Sequence, residues 1–272
     1  MVYTLGHHDP AYLGKVRTFL RDYGGLSSKR TGRMEDSVLK RSRKVLTIVD
    51  HTHHAHNVSA ILRSIEAFGF MECIFLYSNP LMKFRISDAV DRGSSKWLIL
   101  KRGLSIQKLV CNLKKKGYKI ALVSLPSFSK TFSFHTVKAP SLTSWDLYSS
   151  KNILEDLNHS KVALVFGSEL NGLTEEWFQF VDLFISVPMQ GFVESLNISV
   201  CAAILLQAFR YYYTKHAASD FPMLKFEQEI ILDYWYLLSG NKTMELLRSC
   251  APHLVDYAEF LKSKAFLTFE KD

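Results

Sequence analysis

The sequence has few cysteines and no apolar run of membrane length. Its four cysteines, Cys73, Cys111, Cys201 and Cys250, are scattered without a CxxC pair. That spacing argues against a disulfide frame or a zinc knuckle and reads as reduced thiols in a cytosolic protein. The longest apolar stretch runs from Val200 to Phe209, broken only by Gln207, far short of the roughly 20 residues that cross a bilayer. The start, MVYTLGHHDP, has no cationic region leading into an apolar run, so no signal peptide is expected. No internal repeat and no low-complexity tract occurs.

Apolar residues make up 47% of the 272 and aromatics 13%, enough to bury a substantial core. The length suits one large domain, or one domain with helical additions. Net charge is +8, and most of it is local: Lys15 to Lys44 holds ten Lys or Arg against three acids, Asp22, Glu35 and Asp36. A polyanion-binding surface needs such a stretch, because neutralised phosphates release counterions. A solvated helix and loop is the plainer reading of the same charges.

Ala11 to Tyr23 has helical spacing, with Leu13, Val16, Phe19 and Leu20 on one face. GGLSSKRTGR interrupts it and reads as a mobile basic linker. From Lys44 the pattern changes. Strand-like runs cover Lys44 to Val49, Glu72 to Tyr77, Lys96 to Leu100, Lys119 to Leu125, Lys161 to Phe166 and Leu183 to Pro188. Helical patterns separate them, notably Val58 to Phe68, Ser105 to Lys116 and Leu196 to Tyr212. Continuous apolar strands alternating with helices predict an α/β core with a mostly parallel sheet and helices on both faces. The expected division is a basic helical extension over 1–43, a core over 44–212 and a helical C-terminal extension over 213–272. Pro126 to Ser144, rich in Ser, Thr and Phe, reads as a long loop.

Ligands collect at the carboxyl ends of strands in open parallel sheets. Three such ends are unusual: HTHHAHNVSAILRSIEAFG after Val49, GSELNGLTEEW after Phe166, and PMQGFVESLNIS after Val187. Each has an ordinary reading. Gly167 and Gly172 suit turns, Ser195 or Asn197 suits a helix cap, and Asn57 suits a cap for a helix from Val58 that leaves Arg63 on a solvated face.

Together, in this order, the three resemble the motifs of the SpoU family of RNA 2′-O-methyltransferases, in the SPOUT class. The first motif is carried by Asn57, Arg63, Ala67 and Gly69, the second by Gly167, Glu169 and Gly172. The third is carried by Pro188, Met189, Gly191, Ser195, Leu196, Asn197 and Ser199. HHAHNVSAILR is similar to the TrmH-type tRNA guanosine 2′-O-methyltransferases through His53, His56, Asn57, Ser59, Ala60, Ile61 and Arg63. Ala55 stands where that type has proline, which leaves the loop less rigid.

The resemblance implies a deep trefoil knot, a homodimer whose interface completes each site, and S-adenosylmethionine as methyl donor, without a metal. It implies a tRNA substrate modified at a D-loop guanosine, with ribosomal RNA as the alternative. It assigns catalysis to Arg63, Asn57, Glu169, Ser195 and Asn197, and donor binding to Val123, Leu125, Gly167, Val187, Met189 and Leu196. RNA contacts are expected from Lys29, Arg30, Arg33, Lys40, Arg41, Arg43 and His56. The location expected of such a protein is cytoplasmic.

Two other functional classes match parts of the sequence. His51, His53 and His56 have the histidine spacing of dinuclear zinc hydrolases of the metallo-β-lactamase type, but Ala55 replaces the aspartate that motif needs. A knotted RNA-binding protein without catalysis is the other, and the intact set of Arg63, Glu169 and Ser195-Leu196-Asn197 argues against it.

Overall fold

The structure is a computed structural model. It describes residues 12–52, 54–77, 85–103, 105–124, 139–149, 157, 159–169, 171–218, 221–240 and 242–263. The chain divides into two compact units: 42–221, and 1–41 together with 222–272.

Residues 42–221 are built on a seven-stranded sheet. Its strands are β1 (Ser42–Asp50), β2 (Phe70–Leu76), β3 (Ile99–Gly103), β4 (Tyr118–Val123), β5 (Ser141–Thr143), β6 (Lys161–Phe166) and β7 (Leu183–Ser186). They lie in the order β3-β2-β1-β6-β4-β7-β5, and every pairing is parallel. Every residue of β2 is buried, and successive side chains point to opposite faces, so both faces are covered. The helices of this unit are α3 (Ala55–Ala67), α4 (Asp88–Asp91), which packs on α3, α5 (Ile106–Lys115) and α6 (Ile198–His216). From β1 the chain steps one way to β2 and β3, then back past β1 to β4. Right-handed crossovers in opposite directions put α3 and α5 on opposite faces. α6 packs on α3, and their Ile61, Leu62, Leu205 and Phe209 join strand residues Val49, Phe75 and Phe166 in one core. β6 lies between β1 and β4, in the gap where the chain changed direction.

The other unit is helical: α1 (Lys15–Tyr23), α2 (Ser28–Val38), α7 (Lys225–Ser239), α8 (Thr243–Cys250) and α9 (Val255–Ser263). α7 is its centre, with Ile230 to Leu237 all buried. Buried Asp233 on α7 closes the start of α1. It accepts from Gly14 N at 2.8 Å, from Arg17 N at 2.9 Å and from the Tyr257 hydroxyl at 3.2 Å.

Three expectations change. The stretch read as a mobile linker is mostly helix: Ser27 caps α2, and Thr31, Met34 and Val38 form its buried stripe. The strand expected from Lys96 begins at Ile99, because Ser94–Trp97 is a 3₁₀ turn whose Ser95 N and Oγ are both held by Asp91. The long stretch read as loop contains β5, which adds an edge strand; 125–138 lie outside the described residues.

Candidate active site at the carboxyl ends of four adjacent strands

β1, β6, β4 and β7 are neighbours, and their register is nearly level at the carboxyl end. Val49 pairs with Phe166, Leu122 with Val165, and Val123 with Ile185. The three unusual loops therefore leave the sheet at one level, those after β1 and β6 side by side and the one after β7 across β4 from them.

β1 ends in Asp50, which is buried although it is a carboxylate. Its oxygens accept from Thr174 N at 2.9 Å and Trp177 Nε1 at 3.2 Å, and meet His51 Nδ1 at 2.6 Å. Asp50 thus anchors the segment that follows Gly172. His51 turns the chain with φ of 54°, and α3 begins four residues later.

Asn57 does not cap α3. The N-cap is His54, and Asn57 sits inside the first turn. Its Nδ2 donates to Glu169, and its Oδ1 accepts from Asn197 Nδ2 at 3.1 Å. Asn197 is the cap of α6, and its Oδ1 takes Ser199 N at 2.8 Å and Ser199 Oγ at 2.6 Å. Donor and acceptor rules leave each amide one orientation in this chain. A line of hydrogen bonds from Glu169 through Asn57 to Asn197 thus joins all three motifs.

The two glycines of the second motif have a steric cause. Ser168 and Gly172 form an antiparallel bridge, with N···O distances of 2.8 and 2.9 Å. A Cβ on Gly167 would lie 2.3 Å from the Gly172 carbonyl carbon, and Gly172 itself has φ of +66°. The loop closes only with glycine at both places, and it presents Glu169 at its exposed tip.

Arg63 is exposed on α3, about 9 Å along the axis from Asn57. Its Nη1 donates to Val90 O, in α4, at 3.4 Å. Val123, Val187, Met189 and Leu196 are half-buried around the ends of β4 and β7 and the start of α6, and Gly167 is half-buried after β6. Ser195 is exposed in the approach to α6. Leu125 and His53 lie outside the described residues.

The expected RNA contacts divide. Lys29, Arg30 and Arg33 are exposed on α2, Lys40 follows them, and His56 is exposed on α3. Arg41 and Arg43 are corrections. Arg41 is only 3% exposed, with its guanidinium over the Trp235 ring, 5.4 Å from the centroid. Arg43 is ion-paired to buried Glu72, which also meets Lys101 Nζ at 3.4 Å. Burial pushes the Glu72 carboxyl up, but Arg43 and Lys101 pull it down further, to about 2. Arg43 neutralises an internal charge, and neither side chain is presented to a polyanion.

The zinc reading finds no support. His51 Nδ1 faces Asp50, His56 stands exposed on the helix, and no group of three metal-ligating side chains occurs among the described residues. The motifs do not include Asp50 or Val90, which the structure places at the site. Asp50 carried a signal, a lone acid ending an apolar strand. The Val90 carbonyl carried none, because a backbone acceptor leaves no mark in residue identity.

Comparison with known proteins gives the chain's relatives. A sequence model described as the SpoU rRNA Methylase family matches residues 44–207. A tRNA (guanosine(18)-2'-O)-methyltransferase of Thermus thermophilus is 27% identical over 208 residues, 75% of this chain and 95% of that protein. The Aquifex aeolicus protein of the same name is 28% identical over 211 residues, 76% of this chain and 88% of that one. The crystal structure of an A. aeolicus TrmH/SpoU tRNA modifying enzyme superimposes with a TM-score of 0.61 at 23% identity, over 76% of this chain and 95% of that one. That likeness concerns the fold. With the family's sequence model matching more than half of its length, the chain belongs to the SpoU methylase family of S-adenosylmethionine-dependent RNA methyltransferases.

Proposed function

We propose that this chain methylates the ribose 2′-hydroxyl of a guanosine in the D-loop of tRNA. The observation that carries the reading is the hydrogen-bonded line Glu169–Asn57–Asn197, which gathers three family motifs beside the helix bearing an exposed Arg63. The choice of tRNA is supported by the names of the Thermus and Aquifex relatives. Exposed Lys29, Arg30 and Arg33 on α2 supply the positive charge a folded RNA needs. Charge does not select between RNAs, so it carries no weight against ribosomal RNA.

The residues fit the donor. Half-buried apolar side chains and closely approaching glycine backbone surround three adjacent strand ends, as a flat nucleoside requires. S-adenosylmethionine, when bound, supplies an electrophilic methyl on a positively charged sulfur. The ribose oxygen would bond to that carbon as the carbon–sulfur bond breaks, leaving a neutral thioether, and the hydroxyl proton would pass to water. What the chain must provide is alignment. Arg63 would grip a phosphate next to the reacting ribose with its planar fork. It would not take the proton, because a guanidinium stays charged at any working pH. Glu169, Asn57 and Asn197 would hold the loops so that donor and ribose meet in line.

The knot and the dimer belong to this reading. A late strand, β6, between β1 and β4 is compatible with a threaded chain. Phe192, Val193, Val200 and Tyr211 are exposed apolar side chains of the core unit, and a homodimer would cover them. Sedimentation is expected to give a dimer at micromolar concentration, and a monomer there would remove that part.

The test is methyl transfer from labelled S-adenosylmethionine to tRNA and ribosomal RNA, with mass-spectrometric mapping of the product. One 2′-O-methylguanosine in the tRNA D-loop is expected. Methylation confined to ribosomal RNA would overturn the substrate. Donor binding absent in calorimetry would overturn the enzyme. Arg63→Ala should lose at least about 100-fold in rate while still binding the donor.

A further inference from the structure

α4 is fastened to α3 at both ends. Ser87 N donates to the buried Ser59 Oγ at 2.7 Å, and Arg63 Nη1 donates to Val90 O at 3.4 Å. Just beyond, Asp91 is buried and holds Ser95 through N at 3.0 Å and Oγ at 2.8 Å. Between these anchors the chain turns through Arg92 and Gly93, with φ of 52° and 78°. Glycine adopts that conformation freely, whereas for arginine it is strained. Arg92 is nevertheless exposed, and its guanidinium has no hydrogen bond or ion pair among the described residues. Packing therefore gives no reason for an arginine there. Its place does: it stands two residues from the carbonyl that Arg63 touches, on a turn that cannot swing away.

We propose that Arg92 binds a second phosphodiester of the RNA substrate, adjacent along the strand to the one gripped by Arg63. This rests on Arg63 being a phosphate contact. Two fixed cations on neighbouring phosphates set the direction and register of the strand across the site, which a single grip leaves free to rotate. Arg85, exposed just ahead of α4, adds positive charge to the same segment, and Asp88 is the exposed acid of α4. Ser59 and Asp91 act through this arrangement as positioning residues.

The conformation supplies a clean variant. Arg92→Gly removes the cation and relieves the backbone, so the protein should melt no lower than the parent. Binding of a fluorescent tRNA transcript to the full chain is followed by anisotropy from about 50 to about 200 mM salt. Arg92→Gly should weaken binding several-fold and reduce the slope of log K against log salt by about one, while Arg92→Lys keeps the slope. Donor affinity by calorimetry should not move in either. Parental affinity and slope in Arg92→Gly, or a lost slope in Arg92→Lys, would overturn the proposal. Methyl transfer by the parent chain is read in parallel. If the slope drops but no RNA is methylated, the site stands and the methyltransferase reading falls; if the parent binds no RNA, both fall.

Discussion

Asn57 uses both ends of one amide, giving a proton to Glu169 and accepting one from Asn197. Aspartate has the same shape and no donor. Asn57→Asp would set a carboxylate against Glu169, on an exposed helix turn where folding has little at stake. A hydrogen bond to a charged group contributes about 1.5–3 kcal/mol, so the turnover constant should fall roughly 10- to 100-fold. The melting temperature should stay nearly unchanged. Radiolabelled methyl transfer and calorimetric melting check both halves, and a parental rate would remove Asn57 from the site. Identity and spacing made Asn57, Arg63, Glu169 and Asn197 legible as candidates. The line that binds them was not legible, because it spans 112 residues on one side and 140 on the other. The basic residues show the opposite error. Charge along a sequence looks alike whether it meets solvent, as at Lys29, or an internal carboxylate, as at Arg43.

At the scale of elements, strand β6 could be read as a short continuous apolar run, buried on both faces, and the long core helices from their helical apolar spacing. The helix α2 could not. Its buried stripe is only Thr31, Met34 and Val38, set among basic residues with Gly32 inside, so composition hid the period. The three-residue strand β5 is too short to show any period. The second-motif loop gives the sharpest test of the local geometry. A methyl at Gly167 meets Gly172 backbone at 2.3 Å, whereas at Gly191 nothing lies within 4 Å. Gly167→Ala should therefore cost about 1–3 kcal/mol and break the Ser168–Gly172 bridge that carries Glu169, with donor binding lost as well. Gly191→Ala should leave stability within about 0.5 kcal/mol of the parent. Urea unfolding separates the two, and equal effects would refute the steric account.

For the whole molecule, the sequence suggested two helical extensions at opposite ends, and contacts within one unit join them: Asp233 reaches Gly14 across 219 positions. Each unit also contains a buried carboxylate whose acidity is displaced, Asp233 in one and Glu72 in the other, and the two are displaced in opposite directions. Burial raises Asp233 to about 6, with backbone donors from Gly14 and Arg17 only partly offsetting it. Glu72, in the other unit, is held at about 2 by Arg43 and Lys101 against its burial. The signs follow from proton linkage. A raised carboxyl binds more protons when folded, so its contribution is complete below its usual value of 3.8 and is lost as pH climbs through 6. A depressed one contributes fully above 4.5 and loses that as pH falls through 2. Between pH 4 and 6.5 the helical unit should therefore weaken with rising pH, by up to about 3 kcal/mol, at about 1.4 kcal/mol for each pKa unit. The sheet unit should gain nothing from Glu72 over the upper part of that range. Hydrogen exchange resolves the two: protection in α1 and α7 should fall between pH 4 and 6.5, after correction for intrinsic exchange, while protection in β1 and β2 does not follow it. Asp233→Asn keeps the shape, cannot titrate, and should flatten the dependence in α1 and α7 at a lower overall stability. An unchanged pH profile in that variant would show that Asp233 is not the group responsible.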